Sequence, residues 1–367
     1  MTRRPDRIVR RRGPLGVVLA HHREHEAHHV VMLMVVAGAL SLIATILVAG
    51  AAGYVNVASH VRHANTYWLP FAFVGAVVGH IGYTFAYREV AHVGRGVRLG
   101  ALRAGAIVAA GFGMFTPRGG FAVDIEALED LGVPPEEARV RVLGLGSLEY
   151  AVLSTGALIC AILLLLDHYP AQRAVTLSWA IGVPVGTVLA LVAVRYRKWI
   201  CRGPIGRLLG PPLEAIGVVG QIVASPRRHG AAAFTGMAVY WAGEVFVLWV
   251  CLAAFTRHTP SVLAVVVGYA TGYALTRRTL PLAGAGAVEA LMPFALTWVG
   301  FGLAPAVLAV FAYRIVNLWL PLGPAVGALW ALQRRPPERL LANAEVGGDD
   351  RDGLPVEDAR SAADVDR

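Results

Sequence analysis

Lysine is almost missing from this 367-residue chain: Lys198 is the only one among 33 basic residues. The net charge of +9 is therefore carried by arginine, which reads first as compositional bias and only second as lipid recognition. Cysteine is scarce as well. Cys160, Cys201 and Cys251 stand apart and two of them lie in apolar runs, so neither a zinc site nor a disulfide framework is supported. Charged residues make up 16%, low for a soluble chain of this size. No Walker-type G-x-x-x-x-G-K-[ST] occurs, which argues against direct use of ATP. No arginine-rich run is interleaved with stacking aromatics, so nucleic acid is excluded as a partner. No cofactor and no metal is expected.

What fills the chain instead is hydrocarbon: 56% hydrophobic residues and a mean hydropathy of +0.58. The fold expected is an all-α polytopic membrane protein. Apolar runs near the twenty residues needed to span a bilayer lie at about 31–57, 67–87, 142–166, 174–195, 231–256 and 304–332, giving six full transmembrane helices. Two shorter runs, about 99–116 and 261–276, each lead into a Pro/Gly element: FTPRGGF at 115–121 and LPLAGAG at 280–286. Residues 1–30 carry Arg3, Arg4, Arg7, Arg10, Arg11, Arg12 and Arg23, which place this end in the cytoplasm and make the next run an uncleaved anchor. His21, His22, His25, His28 and His29 read as a solvated interfacial cluster rather than a metal site. Residues 203–224, broken by Pro211 and Pro212, read as an interfacial helix on the cytoplasmic face. The tail 333–367 is polar and acidic and is expected to be disordered.

Arginine placement constrains the topology. Arg88, Arg95, Arg98 and Arg103 mark one cytoplasmic loop; Arg195, Arg197, Lys198, Arg202, Arg207, Arg227 and Arg228 mark a second; Arg334 and Arg335 mark the last. Three apolar runs lie between the first two loops, where the crossings must be even in number. The conflict disappears if 99–138 is a re-entrant hairpin, and the same counting makes 261–300 a hairpin from the opposite side, with Arg277 and Arg278 at its tip. The hairpins resemble each other: Pro117 and Gly120 match Pro281 and Gly284, and Gly132 and Ala138 match Gly300 and Ala306, with the second copy four residues longer. This is the pattern of an inverted repeat, the device by which many transporters build a midplane site.

Within 280–322 the hydrophobic sequence carries helix-loosening Pro281, Gly284, Gly286 and Pro293 together with Glu289 and Arg314. Irregular backbone and charge at membrane depth point to a polar cavity, or to a buried Glu289–Arg314 pair. Glu149 and Glu244 are isolated carboxylates inside spanning helices and are candidates on the same ground. Arg118, beside Gly119 and Gly120, could meet a lipid phosphate, as could Arg314. His80 reads as a hydrogen-bonded structural residue. Asp124, Glu126, Glu129 and Asp130 read as a solvated face, and Trp241, Trp249, Trp298 and Trp319 as lipid-facing or interfacial.

The segments P-L-A-G-A-G-A-V-E-A (281–290), G-F-G-L-A-P-A (300–306) and Y-R-I-V-N-L-W-L-P-L (313–322) resemble the flippase-like transmembrane region of lysylphosphatidylglycerol synthases and their stand-alone relatives. Pro281, Gly284, Gly286, Glu289, Tyr313, Arg314 and Pro321 match that family's pattern, while Ala283 stands where a glycine is common and Tyr150 follows Glu149 where an arginine is frequent. The resemblance covers roughly 30–332. It implies lipid translocation or lipid binding; the membrane expected is a bacterial inner membrane, and the arginine placement puts both termini in the cytoplasm. It also implies no aminoacyl transfer, since the soluble synthase domain is not expected. The lipid would be an anionic or aminoacylated phospholipid or a polyprenyl-linked lipid, bound by Glu289, Arg314, Tyr313, Gly284, Gly286, Pro281, Arg118, Gly119, Gly120, Glu149 and Glu244. Two other readings stand beside it: a non-transporting scaffold for a lipid or glycan synthase partner, and a membrane-embedded transferase.

Overall fold

Glycine and proline punctuate the hydrocarbon-rich sequence into helices of two lengths. The computed structural model describes residues 23–93, 96–113, 120–200, 206–224, 227–274 and 281–319, with 321, 323, 324 and 327. Among these residues every regular element is helical. Apart from pieces of five residues or fewer, in chain order they are α1 (Arg23–Ala52), α2 (Tyr54–Arg62), α3 (Leu69–His92), α4 (Ala101–Gly113), α5 (Gly120–Glu129) and α6 (Pro135–Leu166). Then follow α7 (Arg173–Arg195), α8 (Gly206–Ala224), α9 (Arg227–Phe255), α10 (Val262–Tyr273), α11 (Ala287–Trp298) and α12 (Leu303–Arg314).

Among the described residues, five segments are long and apolar enough to cross a membrane: 32–52, 66–92, 135–166, 173–195 and 230–255. The protein is a multi-pass membrane protein. The sixth expected span begins as α12 and continues through a π-helical turn, Ile315–Trp319; most of its remainder lies outside the described residues. The paired short helices are 13 and 10 residues (α4, α5) and 12 and 12 residues (α10, α11). At 1.5 Å per residue each is under about 20 Å, against a hydrocarbon core of about 30 Å. The helix over 206–224 is docked on α6 by its buried face of Leu213, Ala215, Val218 and Ile222. A Cβ on Gly144 of α6 would come within 2.6 Å of Val218 Cγ1. The arginine-rich start, His21 and His22, Arg118, Gly119, Arg277, Arg278 and the tail from 333 lie outside the described residues.

The centre of the molecule is an antiparallel crossing of α3 and α9 in which backbone meets backbone. A Cβ on Gly82 would sit 2.6 Å from Gly236 O, and one on Gly243 would sit 2.6 Å from Gly75 O. Gly79 faces the Tyr240 carbonyl between them. Small residues at such spacing are how helices approach closely in lipid, where apolar side chains gain nothing from leaving hydrocarbon.

The contacts around this crossing repeat. His80 packs on Phe112 with ring centroids 4.6 Å apart, and Trp241 packs on Tyr273 at 4.7 Å; both residues of the second pair lie 161 positions after those of the first. Gly75 and Gly82 are likewise 161 positions before Gly236 and Gly243. Beyond the tips the offset becomes 168. Val133 N–H donates to Leu128 O at 3.1 Å over a positive-φ Gly132, and Phe301 N–H donates to Leu296 O at 3.1 Å over a positive-φ Gly300. This is the same C-terminal helix cap, one copy in each half. The second copy is thus seven residues longer between the helices of its short pair, not four. Matching Pro117 with Pro281 underestimates the difference because the extra residues fall within that tip. Within the longer connection, Leu282, Gly284 and Gly286 are all at positive φ.

Candidate functional site

Gly286 has φ +85 and ends the irregular turn 281–286, so α11 starts with its first amides bare. Glu289, three residues on, folds back and accepts from the Gly286 N–H at 2.8 Å through Oε2. Its Oε1 accepts from Arg314 Nε at 2.8 Å. The ion pair is buried, with side-chain exposures of 1% for Glu289 and 6% for Arg314. Arg314 ends α12, where a cation also meets the negative end of the helix dipole. Glu289 is therefore both a helix cap and a countercharge, and it ties the turn, α11 and α12 together. Gly284 is buried in the turn, Pro281 opens it, and Leu40 of α1 lies over Gly286.

One residue away, Tyr313 points to a second carboxylate. Glu244, fully buried on α9, collects three donors on Oε2: Tyr313 Oη at 2.7 Å, Asn317 Nδ2 at 3.1 Å and Tyr269 Oη at 3.2 Å. The two tyrosine hydroxyls are 3.1 Å apart. Asn317 reaches Glu244 from the π-helical turn, a distortion that recurs at functional sites because the extra residue re-aims a side chain.

The third carboxylate belongs to the first copy. Glu149 on α6 is buried and accepts from Tyr83 Oη at 2.6 Å, while its backbone carbonyl accepts from Trp241 Nε1 at 2.9 Å. Asp124 of α5 is fully buried and within electrostatic reach of Glu149 and Tyr87. Tyr83 and Glu244 occupy equivalent places in the two copies, 161 apart, and so do Glu149 and Asn317, 168 apart. Each crossing helix thus has a polar bond to its partner segment at the same place, with the carboxylate on opposite members. The Glu289–Arg314 contact likewise falls where Phe121 packs over Gly146 in the first copy.

The sequence-derived candidates divide accordingly. Glu289, Arg314 and Gly286 meet in one cluster, at the end of the turn that holds Pro281 and Gly284, and Tyr313 and Glu244 meet in its neighbour. Glu149 lies with the first copy, and Gly120 opens α5. Two expectations are corrected. Asp124 is not on a solvated face: its helix packs against both α4 and α6, which leaves it fully buried. Trp241 is not lipid-facing: it is 4% exposed, held by the Glu149 carbonyl and packed on Tyr240 and Tyr273. Trp249 is half-buried with Nε1 on Pro260 O, and Trp298 is exposed. His80 Nδ1 donates to Ala76 O, one helix turn back, at 2.8 Å, as a structural residue would. Arg141 was missed: buried beside α3, it donates to Ala91 O at 2.6 Å and pairs with Glu137. Tyr83, Tyr269 and Asn317 were missed too. Only Asn317 carried a signal, sitting four residues after Tyr313 and hence on the same helix face.

Among curated proteins no match is found. A family model described as the lysylphosphatidylglycerol synthase TM region matches residues 34–325, well over half of the chain and including all three carboxylate clusters. That match relates the protein to lipid modification and transport in membranes. The chain belongs to the family of the lysylphosphatidylglycerol synthase TM region.

Proposed function

We propose that this protein moves a phospholipid, or a lipid-linked headgroup, between the leaflets of the bacterial inner membrane, with both termini in the cytoplasm. The observation that supports the reading is two pairs of short helices packed on each other, α4 with α5 and α10 with α11, in a molecule whose carboxylates Asp124, Glu149, Glu244 and Glu289 are buried. An inverted pair of re-entrant hairpins around a polar centre is suited to exposing one site alternately to either face. Glu289, Arg314, Glu244 and Tyr313 line the path in the second copy, and Glu149 with Tyr83 lines it in the first. Guanidinium and tyrosine donors suit phosphate oxygens, while the carboxylates suit an aminoacyl amine. The headgroup crosses through this polar centre while its tails stay in hydrocarbon.

The test is reconstitution of purified protein in liposomes carrying asymmetrically labelled phosphatidylglycerol, its lysyl ester or a polyprenyl phosphate. Label arrival in the opposite leaflet is followed for the wild type, Glu244→Gln and Arg314→Ala. Transfer that both substitutions abolish in folded protein supports the reading. No transfer of any of the three lipids by folded wild type refutes it.

A further inference from the structure

A groove of about 520 Å³ opens between α6, α9 and α10, with Trp241, whose Nε1 donates to the Glu149 carbonyl, in its wall. Gly156 and Cys160 of α6, Ala242, Phe246 and Trp249 of α9, and Val262 of α10 line it. The volume lies within the range of small-molecule sites, and the lining is almost wholly apolar. Two features make it a shaped site rather than a gap between helices. Trp249 is fixed by its bond to Pro260 O, and a Cβ built on Gly156 meets nothing within 4 Å, so the space above that glycine is open.

The groove follows α9 from Ala238 to Trp249. Eleven residues at 1.5 Å each make about 16 Å, close to half of the roughly 30 Å hydrocarbon core. It runs from the middle of α9 to Trp249, and the loop that joins α9 to Val262, also in the lining, carries exposed Arg257 and His258. The start of α3 meets the same end, with Asn65 N–H on Ala254 O at 2.8 Å. A length close to one leaflet, an apolar trough and a cation on the loop that joins two of its walls describe a single occupant.

We infer that the groove holds one acyl chain of an anionic glycerophospholipid from the leaflet at the α9–α10 loop, with Arg257 meeting its phosphate. Hydrocarbon gains nothing by moving from bilayer to groove, so selection comes from the fixed tryptophan wall and the headgroup charge. This deepens the proposed lipid handling by naming a lipid class and its resting place. Occupancy is read by cross-linking and transfer by the leaflet assay, so the two ideas fail separately.

The full chain, reconstituted in liposomes, is irradiated with phosphatidylglycerol or phosphatidylcholine carrying a photoactivatable group on the acyl chain, and labelled peptides are mapped. Labelling should concentrate on 152–160, 238–249 and 262–266. It should fall at least fivefold in Gly156→Leu, which fills open space without touching backbone. Phosphatidylglycerol should label these peptides several-fold more than phosphatidylcholine, and Arg257→Gln, on an exposed loop, should erase that preference. Labelling that follows exposed area, with α7 marked as heavily and Gly156→Leu unchanged, overturns the site. Equal labelling by the two lipids in the wild type overturns the role of Arg257.

Discussion

Removing Arg314 should expose how the Glu289 pair is held. In Arg314→Met the carboxylate stays where only 1% of its side chain is exposed, still bound to the Gly286 amide but without the guanidinium. Breaking a buried pair from one side costs about 3–5 kcal/mol, because the remaining charge has neither water nor partner. Glu289→Gln leaves Arg314 in the same position from the other side and should cost a similar amount, although glutamine can still cap Gly286. In the double variant no charge remains, a cap survives and the methionine fills most of the vacated volume. Its loss should be about 1–2 kcal/mol, far below the sum of the two singles. The coupling energy would then be several kcal/mol, where independent sites add to within about 0.5 kcal/mol. Denaturant unfolding of the four proteins in mixed micelles, followed by tryptophan fluorescence, measures it. Additive losses refute the claim that the pair is a buried unit.

Two further outcomes rest on the contacts around the central crossing. Gly243→Ala drives a methyl group against Gly75 O at 2.6 Å and should lower stability by at least about 1–3 kcal/mol, while Gly186→Ala on α7, with open space, should stay within about 0.5 kcal/mol; thermal unfolding midpoints in detergent separate them. Tyr83→Phe removes the 2.6 Å donor to buried Glu149 and should lower stability by about 1–3 kcal/mol, with a smaller effect for Glu149→Gln, which retains an oxygen acceptor; the same unfolding measurement ranks them.

The long helices and the two broken ones were legible in the sequence, because hydrocarbon length and Pro/Gly placement are local properties. The Glu289–Arg314 contact was legible for a similar reason: two ionisable groups in one apolar stretch have few alternatives to each other. Asp124 was misjudged because four acids in ten residues look solvated until α4 and α6 are known to cover one of them. Trp241 was misjudged because an indole suits a membrane interface as well as a core, and its partner, the Glu149 carbonyl, lies 92 residues away. The equivalence of Tyr83 with Glu244 could not be read at all. The two residues share no chemistry, and only the contacts made by their neighbours align them.

Helix α7 gains a meaning from that duplication. Its most apolar stretch has none of its residues buried, and a helix so thinly packed contributes little to the core. Yet the first unit, α3 to α6, ends on the side where α3 began, at the loop that binds Trp298 O through Gln172 N–H. A second unit starting there would have the same sense as the first. One extra traverse carries the chain back, so that α9 sets out from the other surface and the copy is built upside down. Helix α7 is the stitch that turns a tandem duplication into a reversed one, and its value lies in the direction it gives to the second unit.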